Sequence, residues 1–267
     1  MKLRNEIKII SIDLDGTLFT STGTIEPATI DSLQACKRHG IQLVFNTARP
    51  LKMIPPDIYL MFKEDFWIFS NGTTCKKNGE ELFHFTMESD HINNLLNVLY
   101  HNHSKYFFSI EADNKIFTTS TCSLTNTRYF AEQQSLNFIL LQKINKVIII
   151  AENRDFPSDL LTYSIHPNLK VLITEKGKYV QVMPKEVSKL SAITKILELL
   201  NMNLSNLLAF GDDINDFEII LSSKIGVAMD NAVSEIKEIA DHVTTSNNEN
   251  GVGLFIDNFF AFNENKN

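Results

Sequence analysis

The chain has 267 residues, 43% of them hydrophobic and 21% charged, a balance that excludes a disordered or fibrous chain and suits a globular one with a sizeable core. Its 25 lysines and arginines against 32 acids leave a net charge of −7, which repels nucleic acid and anionic lipid alike and so predicts neither as a partner. The same sign repels a phosphorylated ligand, so any phosphate site here needs its own local cation.

The first residues, Met1 to Glu6, interleave charges and lack the apolar run of a secretory signal. The chain then opens with a β-branched run, Ile7, Ile9, Ile10 and Ile12, that reads as a strand buried on both faces and ends at Asp13-Leu14-Asp15-Gly16-Thr17-Leu18. A helical pattern from Pro27 through Ile30, Leu33 and Cys36 stops near Gly40. A second apolar strand, Ile41 to Phe45, ends at Asn46-Thr47-Ala48-Arg49-Pro50, and a third, Phe66 to Phe69, ends at Ser70-Asn71-Gly72-Thr73. Strands alternating with helices predict a parallel sheet with right-handed crossovers, whose ligands bind beyond the carboxyl ends of the strands. The polar residues collect at those ends.

The middle of the chain breaks the alternation. A helix pattern (Ile92, Leu95, Leu96, Leu99) leads into strand-like runs at Phe107 to Glu111 and Ile116 to Thr119, then a helix around Thr125 to Gln133. A strong strand, Lys146 to Ala151, a helix around Asp159 and strands near Val171 to Ile173 and Tyr179 to Met183 follow. This α+β order predicts a smaller domain inserted at residues 85–183, leaving 1–84 and 184–267 as the core. After Pro184 the alternation resumes: a helix from Lys189, a strand from Leu207 to Phe210 running into Gly211-Asp212-Asp213-Ile214-Asn215-Asp216, a helix near Phe217, a strand from Ile225 and a helix from Ala232. Phe259, Phe260 and Phe262 belong to a terminal helix packed on the core.

Val147 to Ala151, the longest strongly apolar stretch, falls far short of the ~18 residues of a membrane span, so no membrane association is expected. Cys36, Cys75 and Cys122 are odd in number and nowhere spaced as C-x-x-C, and read as packed small hydrophobes in a reducing compartment. His101 and His103 lack a carboxylate partner in sequence and read as a solvated turn rather than a metal site. A cytoplasmic protein, monomeric or weakly homo-oligomeric, is the expectation.

Asp13 and Asp15 stand two residues apart where a buried strand meets a glycine turn, so both point to one spot, and Gly16 lets backbone N–H groups approach an anion. Burying two like charges requires a cation, a proton or both. Asp212, Asp213, Asn215 and Asp216 also follow an apolar strand and a glycine. They are able to cap the next helix, or, together with the first cluster, to offer a hard divalent cation oxygen ligands from two strand ends. Mg²⁺ held by Asp13, Asp212 and the Asp15 carbonyl keeps positions open for water and a phosphate.

With these residues in view the chain resembles the haloacid dehalogenase-like hydrolases, and among them the Cof-type sugar and metabolite phosphatases. The resemblance runs over essentially the full length, on four motifs in order: Asp13 to Leu18, Thr47, Lys189, and Gly211 to Asp216, with Gly226 to Ala232 and Gly251-Val252-Gly253 also alike. It implies a Rossmann-like α/β core with an inserted α+β cap of the C2 type, Mg²⁺ as cofactor and a small phosphorylated metabolite as substrate. It also implies roles: Asp13 the nucleophile that forms an aspartyl-phosphate, Asp15 the proton donor and then acceptor, and Asp13, Asp15, Asp212 and Asp216 the metal site, with Asp216 behind the others. Thr47, Ala48, Lys189, Asn215 and Gly16 would then bind phosphate or substrate, Lys189 supplying the missing positive charge. Arg49 would hold phosphate or pair with an acid, and Arg128 or Glu111 would face the substrate from the cap. Two positions depart from the family pattern: Ala48 replaces a usual glycine, and Leu190-Ser191 follows the lysine where glycine is usual. Neither removes a catalytic group. A phosphomutase or phosphotransferase of the same superfamily, or a silent ligand-binding relative, are the alternatives.

Overall fold

A computed structural model describes residues 2–102, 107–113, 115–119, 131–150, 166–174 and 177–262. In chain order, α1 (Lys2–Glu6) leads to β1 (Ile9–Ile12), α2 (Pro27–Arg38), β2 (Gln42–Asn46), α3 (Pro56–Met61), β3 (Phe66–Phe69), β4 (Thr74–Lys77) and β5 (Glu80–His84). Next come α4 (Ser89–Asn102), β6 (Phe107–Ala112), β7 (Lys115–Thr118), β8 (Glu132–Gln133), α5 (Leu136–Ile139), β9 (Ile144–Ile150), β10 (Leu169–Thr174) and β11 (Tyr179–Pro184). The chain closes with α6 (Lys189–Leu199), β12 (Leu207–Gly211), α7 (Phe217–Ser222), β13 (Ile225–Ala228), α8 (Ser234–Ile239), β14 (His242–Val243) and α9 (Gly251–Phe260).

Two sheets result. The first has eight strands in the order β14-β13-β12-β1-β2-β3-β4-β5, parallel from β14 to β3. Its middle strands are buried on both faces, as their unbroken apolar sequences require. Ile10 and Ile12 pack with Leu33 of α2 and Ile256 of α9 on one face, while Ile9 packs with Ile193 and Ile196 of α6 on the other. Phe259, Phe260 and Phe262 lie against the first of these clusters. The sheet ends in an antiparallel hairpin, β4–β5, which the alternation of strands and helices does not predict. Its signal is Asn78-Gly79, both at positive φ, the pair that a tight two-residue hairpin turn favours.

The second sheet has six strands in the order β10-β11-β9-β6-β7-β8 and is mostly antiparallel. Phe108, Ile110, Val147, Ile149, Val180 and Val182 form its apolar face, covered by Ile92, Leu95, Leu96 and Leu99 of α4. The alternate residues Ser109, Glu111, Lys146 and Gln181 are polar yet buried. A buried polar face needs partners, and the first sheet provides them for Glu111, Lys146 and Gln181.

Glu132 and Gln133, expected at the end of a helix, instead form β8 alongside β7. The Gln134 N–H donates to the Thr118 carbonyl at 2.9 Å, extending the pairing with β7. The rest of that helix, the helix near Asp159, Arg128, His103 and Cys122 lie outside the described residues. Cys36 and Cys75 are buried free thiols, both pushed up to about 12 chiefly by burial, as packed hydrophobes are. His101 is exposed at the end of α4 and meets the Tyr100 ring edge-on. Among the described residues no helix is long and apolar enough to cross a membrane.

Candidate active site

The chain leaves β1 for β2 on one side, while β12 returns on the other, so the strand order reverses between β1 and β12. The crevice beyond the carboxyl ends at such a reversal is where open α/β sheets bind ligands. Asp13 follows β1, Thr47 follows β2, Ser70 follows β3 and Asp212 follows β12, all at this edge. The register carries Asp13 alongside β12, its N–H donating to the Phe210 carbonyl at 3.2 Å.

Carboxylate oxygens of Asp13, Asp212 and Asp216 lie within 4.8 Å of one another. Lys189, 1% exposed, reaches into the group, its Nζ 2.5 Å from Asp13 Oδ1 and 2.7 Å from Asp216 Oδ1. A lysine in the first turn of a helix is set against the positive end of the helix dipole, and these two carboxylates account for it. Ser188 and Ser191 start α6 with reciprocal caps, Ser191 Oγ accepting from the Ser188 N–H at 2.8 Å and Ser188 Oγ from the Ser191 N–H at 3.1 Å. Ser191, one of the departures from the family pattern, thus helps fix where Lys189 points.

Burial holds Asp13 well above the usual carboxylate range, Lys189 pulling against it. Asp212 is pushed up to about 7, first by burial and then by the charge of Asp216. Burial pulls the Lys189 ammonium down, but Asp13 and Asp216 together carry it above the ordinary lysine value. One ammonium against three carboxylates leaves excess negative charge in a buried place. The donor set is all hard oxygen, so the residues fit a divalent cation such as Mg²⁺.

Asp216 Oδ2 also accepts the backbone N–H groups of Asp212 (3.1 Å) and Asp213 (3.4 Å). Both its oxygens are therefore engaged, in holding the loop and Lys189. Thr17 Oγ donates to Asp212 Oδ1 at 2.8 Å, joining the two acidic clusters directly. Gly16 has φ +77°, and a Cβ there would overlap the Asp212 carboxylate, so close approach as well as conformation requires glycine. Asn231 Nδ2 donates to the Gly16 carbonyl at 2.7 Å and secures that turn.

Asp15 stands apart from the trio, its side chain 51% exposed and gripped by both arms of Arg49, Nε donating to Oδ2 at 2.6 Å and Nη2 to Oδ1. Arg49 therefore pairs with an acid, the second of its two expected roles. Thr47 is fully buried, its Oγ accepting the Arg49 N–H at 3.0 Å, and Ala48 beside it is half-buried. Asn215 donates to Asn71 Oδ1 (3.0 Å), and Asn71 in turn donates to Gln181 Oε1 of the second sheet (2.9 Å). Glu111 accepts from Ser70 Oγ at 2.5 Å. Sequence reading passed over Thr17, Asn71, Asn231 and Lys146. Thr17, Asn71 and Asn231 left a trace, in the strings that end β1 and β3 and in the Gly226 to Ala232 run, whereas Lys146 reads only as a strand residue.

The family model for haloacid dehalogenase-like hydrolases matches residues 10–256. The chain belongs to that family. A Haemophilus influenzae protein provisionally named a phosphatase is 27% identical over 265 residues, covering 95% of this chain and 98% of its own. A Bacillus subtilis 5-amino-6-(5-phospho-D-ribitylamino)uracil phosphatase is 26% identical over 253 residues, covering 94% of this chain and 95% of its own. Among solved structures, a haloacid dehalogenase-like hydrolase from B. subtilis superposes with a TM-score of 0.82 at 21% identity, over 94% of this chain and 99% of that one. Membership makes the chain a hydrolase, and the α/β fold with its parallel-sheet core is that of the family.

Proposed function

We propose that this hydrolase is a Mg²⁺-dependent phosphatase that transfers the phosphoryl group of a small phosphorylated metabolite to Asp13 and then to water. The observation that carries the proposal is the trio of buried Asp13 and Asp216 and half-buried Asp212 with Lys189 as its cation, set where the strand order reverses. Asp13 and Asp212 would hold the metal together with the Asp15 carbonyl, with Asp216 fixing their loop. Bound there, Mg²⁺ supplies charge neutralisation for the phosphoryl oxygens.

Lys189 fixes the rotation of the Asp13 carboxylate by holding Oδ1. A carboxylate oxygen of Asp13 attacks phosphorus, the ester oxygen departs with a proton from Asp15, and an acyl phosphate forms. Water then attacks that phosphorus, gives its proton to Asp15 and restores Asp13 as inorganic phosphate leaves. The Thr47 hydroxyl donates to a phosphoryl oxygen. Before Asp15 gives up a proton its paired state with Arg49 must loosen, and a second anion drawing on Arg49 favours that.

Residues 85–183 act as the cap over the core of residues 1–84 and 184–267, excluding water and selecting the metabolite. Their polar buried face supports this reading. A relative named for a phosphate ester on a ribityl chain supports a small polyol-like substrate.

The test is hydrolysis of p-nitrophenyl phosphate with and without Mg²⁺, beside Asp13→Asn, a nearly isosteric change that should leave the fold intact. Wild-type turnover should need the ion and fall about a thousandfold or more in the variant. Turnover by Asp13→Asn near the wild-type rate would remove the covalent mechanism.

A further inference from the structure

Glu111 and Lys146 face each other across β6 and β9 and point from the second sheet toward the first. Both are buried, at 2% and 0% exposure. Lys146 Nζ lies 3.0 Å from Glu111 Oε1, a buried ion pair between the two strands. Lys146 Nζ also donates to the Ala48 carbonyl of the core at 2.6 Å. Glu111 Oε2 meanwhile accepts from Ser70. Each member of the pair therefore grips a different strand-end turn of the core.

Those two turns are bonded to each other, the Ser70 N–H donating to the Arg49 carbonyl and the Asn71 N–H to the Thr47 carbonyl, both at 3.0 Å. Ser70 and Asn71 sit at φ 53° and 58°, a left-handed conformation that asparagine adopts readily and serine rarely, so at Ser70 the surroundings impose it. A buried ion pair is a poor way to add stability, since a well-packed apolar pair would do as well or better. Its presence here asks for another reason.

The Ala48 carbonyl and the Arg49 N–H belong to one trans peptide and point in opposite directions. Lys146 holds the carbonyl, and the N–H on the far side donates to Thr47 Oγ at 3.0 Å. With a lone pair so occupied, the Thr47 hydroxyl keeps its proton for a different acceptor. The next side chain, Arg49, grips Asp15.

We propose that Lys146, braced by Glu111, is a positioning residue of the cap that sets the Ala48–Arg49 peptide and thereby aims the Thr47 hydroxyl at the phosphoryl group. This rests on the phosphatase reading above. Cap docking then does more than exclude water: it completes the phosphate-binding turn, so the chemical step is competent only with the cap seated.

The experiment is a double-mutant cycle on p-nitrophenyl phosphate turnover with Mg²⁺, using Glu111→Gln/Lys146→Met, which removes the grip without stranding a charge, and Thr47→Val. The pair variant should lose kcat about 30-fold with KM changed less than about threefold, because the turn is misplaced while the site is kept. In the Thr47→Val background, followed with excess enzyme, the same pair should cost less than about threefold, since its effect runs through the hydroxyl already removed. Full multiplication of the two losses would overturn the inference, because a merely structural role adds independently. So would a folded pair variant that keeps kcat within about twofold of a wild type that turns over. A wild type with no turnover would overturn the phosphatase reading, and this inference with it. If circular dichroism shows the methionine variant unfolded, Glu111→Gln/Lys146→Gln, one bond short of Ala48 but still polar, carries the same expectations and the same refutation.

Discussion

Asp212 titrates near neutrality because burial and Asp216 disfavour its charge, and this gives the site a definite response to pH. Without metal, the folded chain keeps a proton on Asp212 that the unfolded chain, with an aspartate pKa of about 3.9, gives up. Its contribution to stability is complete below about pH 4 and is lost as pH rises through about 7. Mg²⁺ needs the carboxylates ionised, so the Tm increment from added Mg²⁺ should be larger at about pH 8 than at about pH 5.5, and Asp212→Asn should flatten both trends. A Mg²⁺ increment independent of pH in the wild type would show that Asp212 is not a ligand. Asp15 answers to a different test, because a proton donor matters most where the leaving group is poor. Asp15→Asn should lose far more kcat on an alkyl phosphate than on p-nitrophenyl phosphate. Equal losses on both esters would count against proton transfer from this residue.

At the scale of elements, the site depends on where strands and helices stop. Lys189 reaches Asp13 because α6 begins at Lys189 itself, just after the Ser188 cap. Ser188→Ala should cost about 1 kcal/mol of stability. In a chain of this size that lowers Tm by roughly 2–4 °C, measurable by calorimetry. An unchanged Tm would mean that packing of Ile193 and Ile196 fixes the helix without its cap. Most elements were legible because apolar periodicity reports them directly, as at Ile9–Ile12 and along Leu95, Leu96 and Leu99. The β4–β5 hairpin was not, since residues such as Lys76, Lys77, Glu80 and Glu81 give an edge strand little apolar pattern to read. Nor was β8, two polar residues that take strand geometry only because the edge of β7 is beside them.

The two sheets of the whole molecule meet across polar contacts: Lys146 on Ala48, Glu111 on Ser70, Asn145 on Thr73 at 2.7 Å and Gln181 on Asn71. Such a seam holds while its partners are aligned and exchanges them for water when it opens, unlike a continuous apolar core. Adding Mg²⁺ and orthovanadate should therefore slow amide hydrogen exchange in residues 46–49 and 70–73, and leave Ile9–Ile12 unchanged. Equal exchange in those turns with and without the additives would argue against any link between seam and site. Surface charge acts at the same scale: the net −7 disfavours the approach of an anion, so a phosphate ester needs the local positive charge of Lys189, Arg49 and a bound cation.

The order of strands, their apolar faces and the acidic residues at their ends are properties of the chain itself, because period and residue chemistry do not depend on what lies across the sheet. Asp13 and Asp212 could be singled out on that ground, and Thr47 and Lys189 through the family resemblance, before any distance was known. Pairings between distant segments could not. That Thr17 holds Asp212, that Arg49 chooses Asp15 and that Lys146 reaches Ala48 depend on the positions of two sheets in space. A lysine in a strand carries no mark of which carbonyl it will meet. Only folding, by excluding water from Lys146 and leaving it few partners, makes that choice.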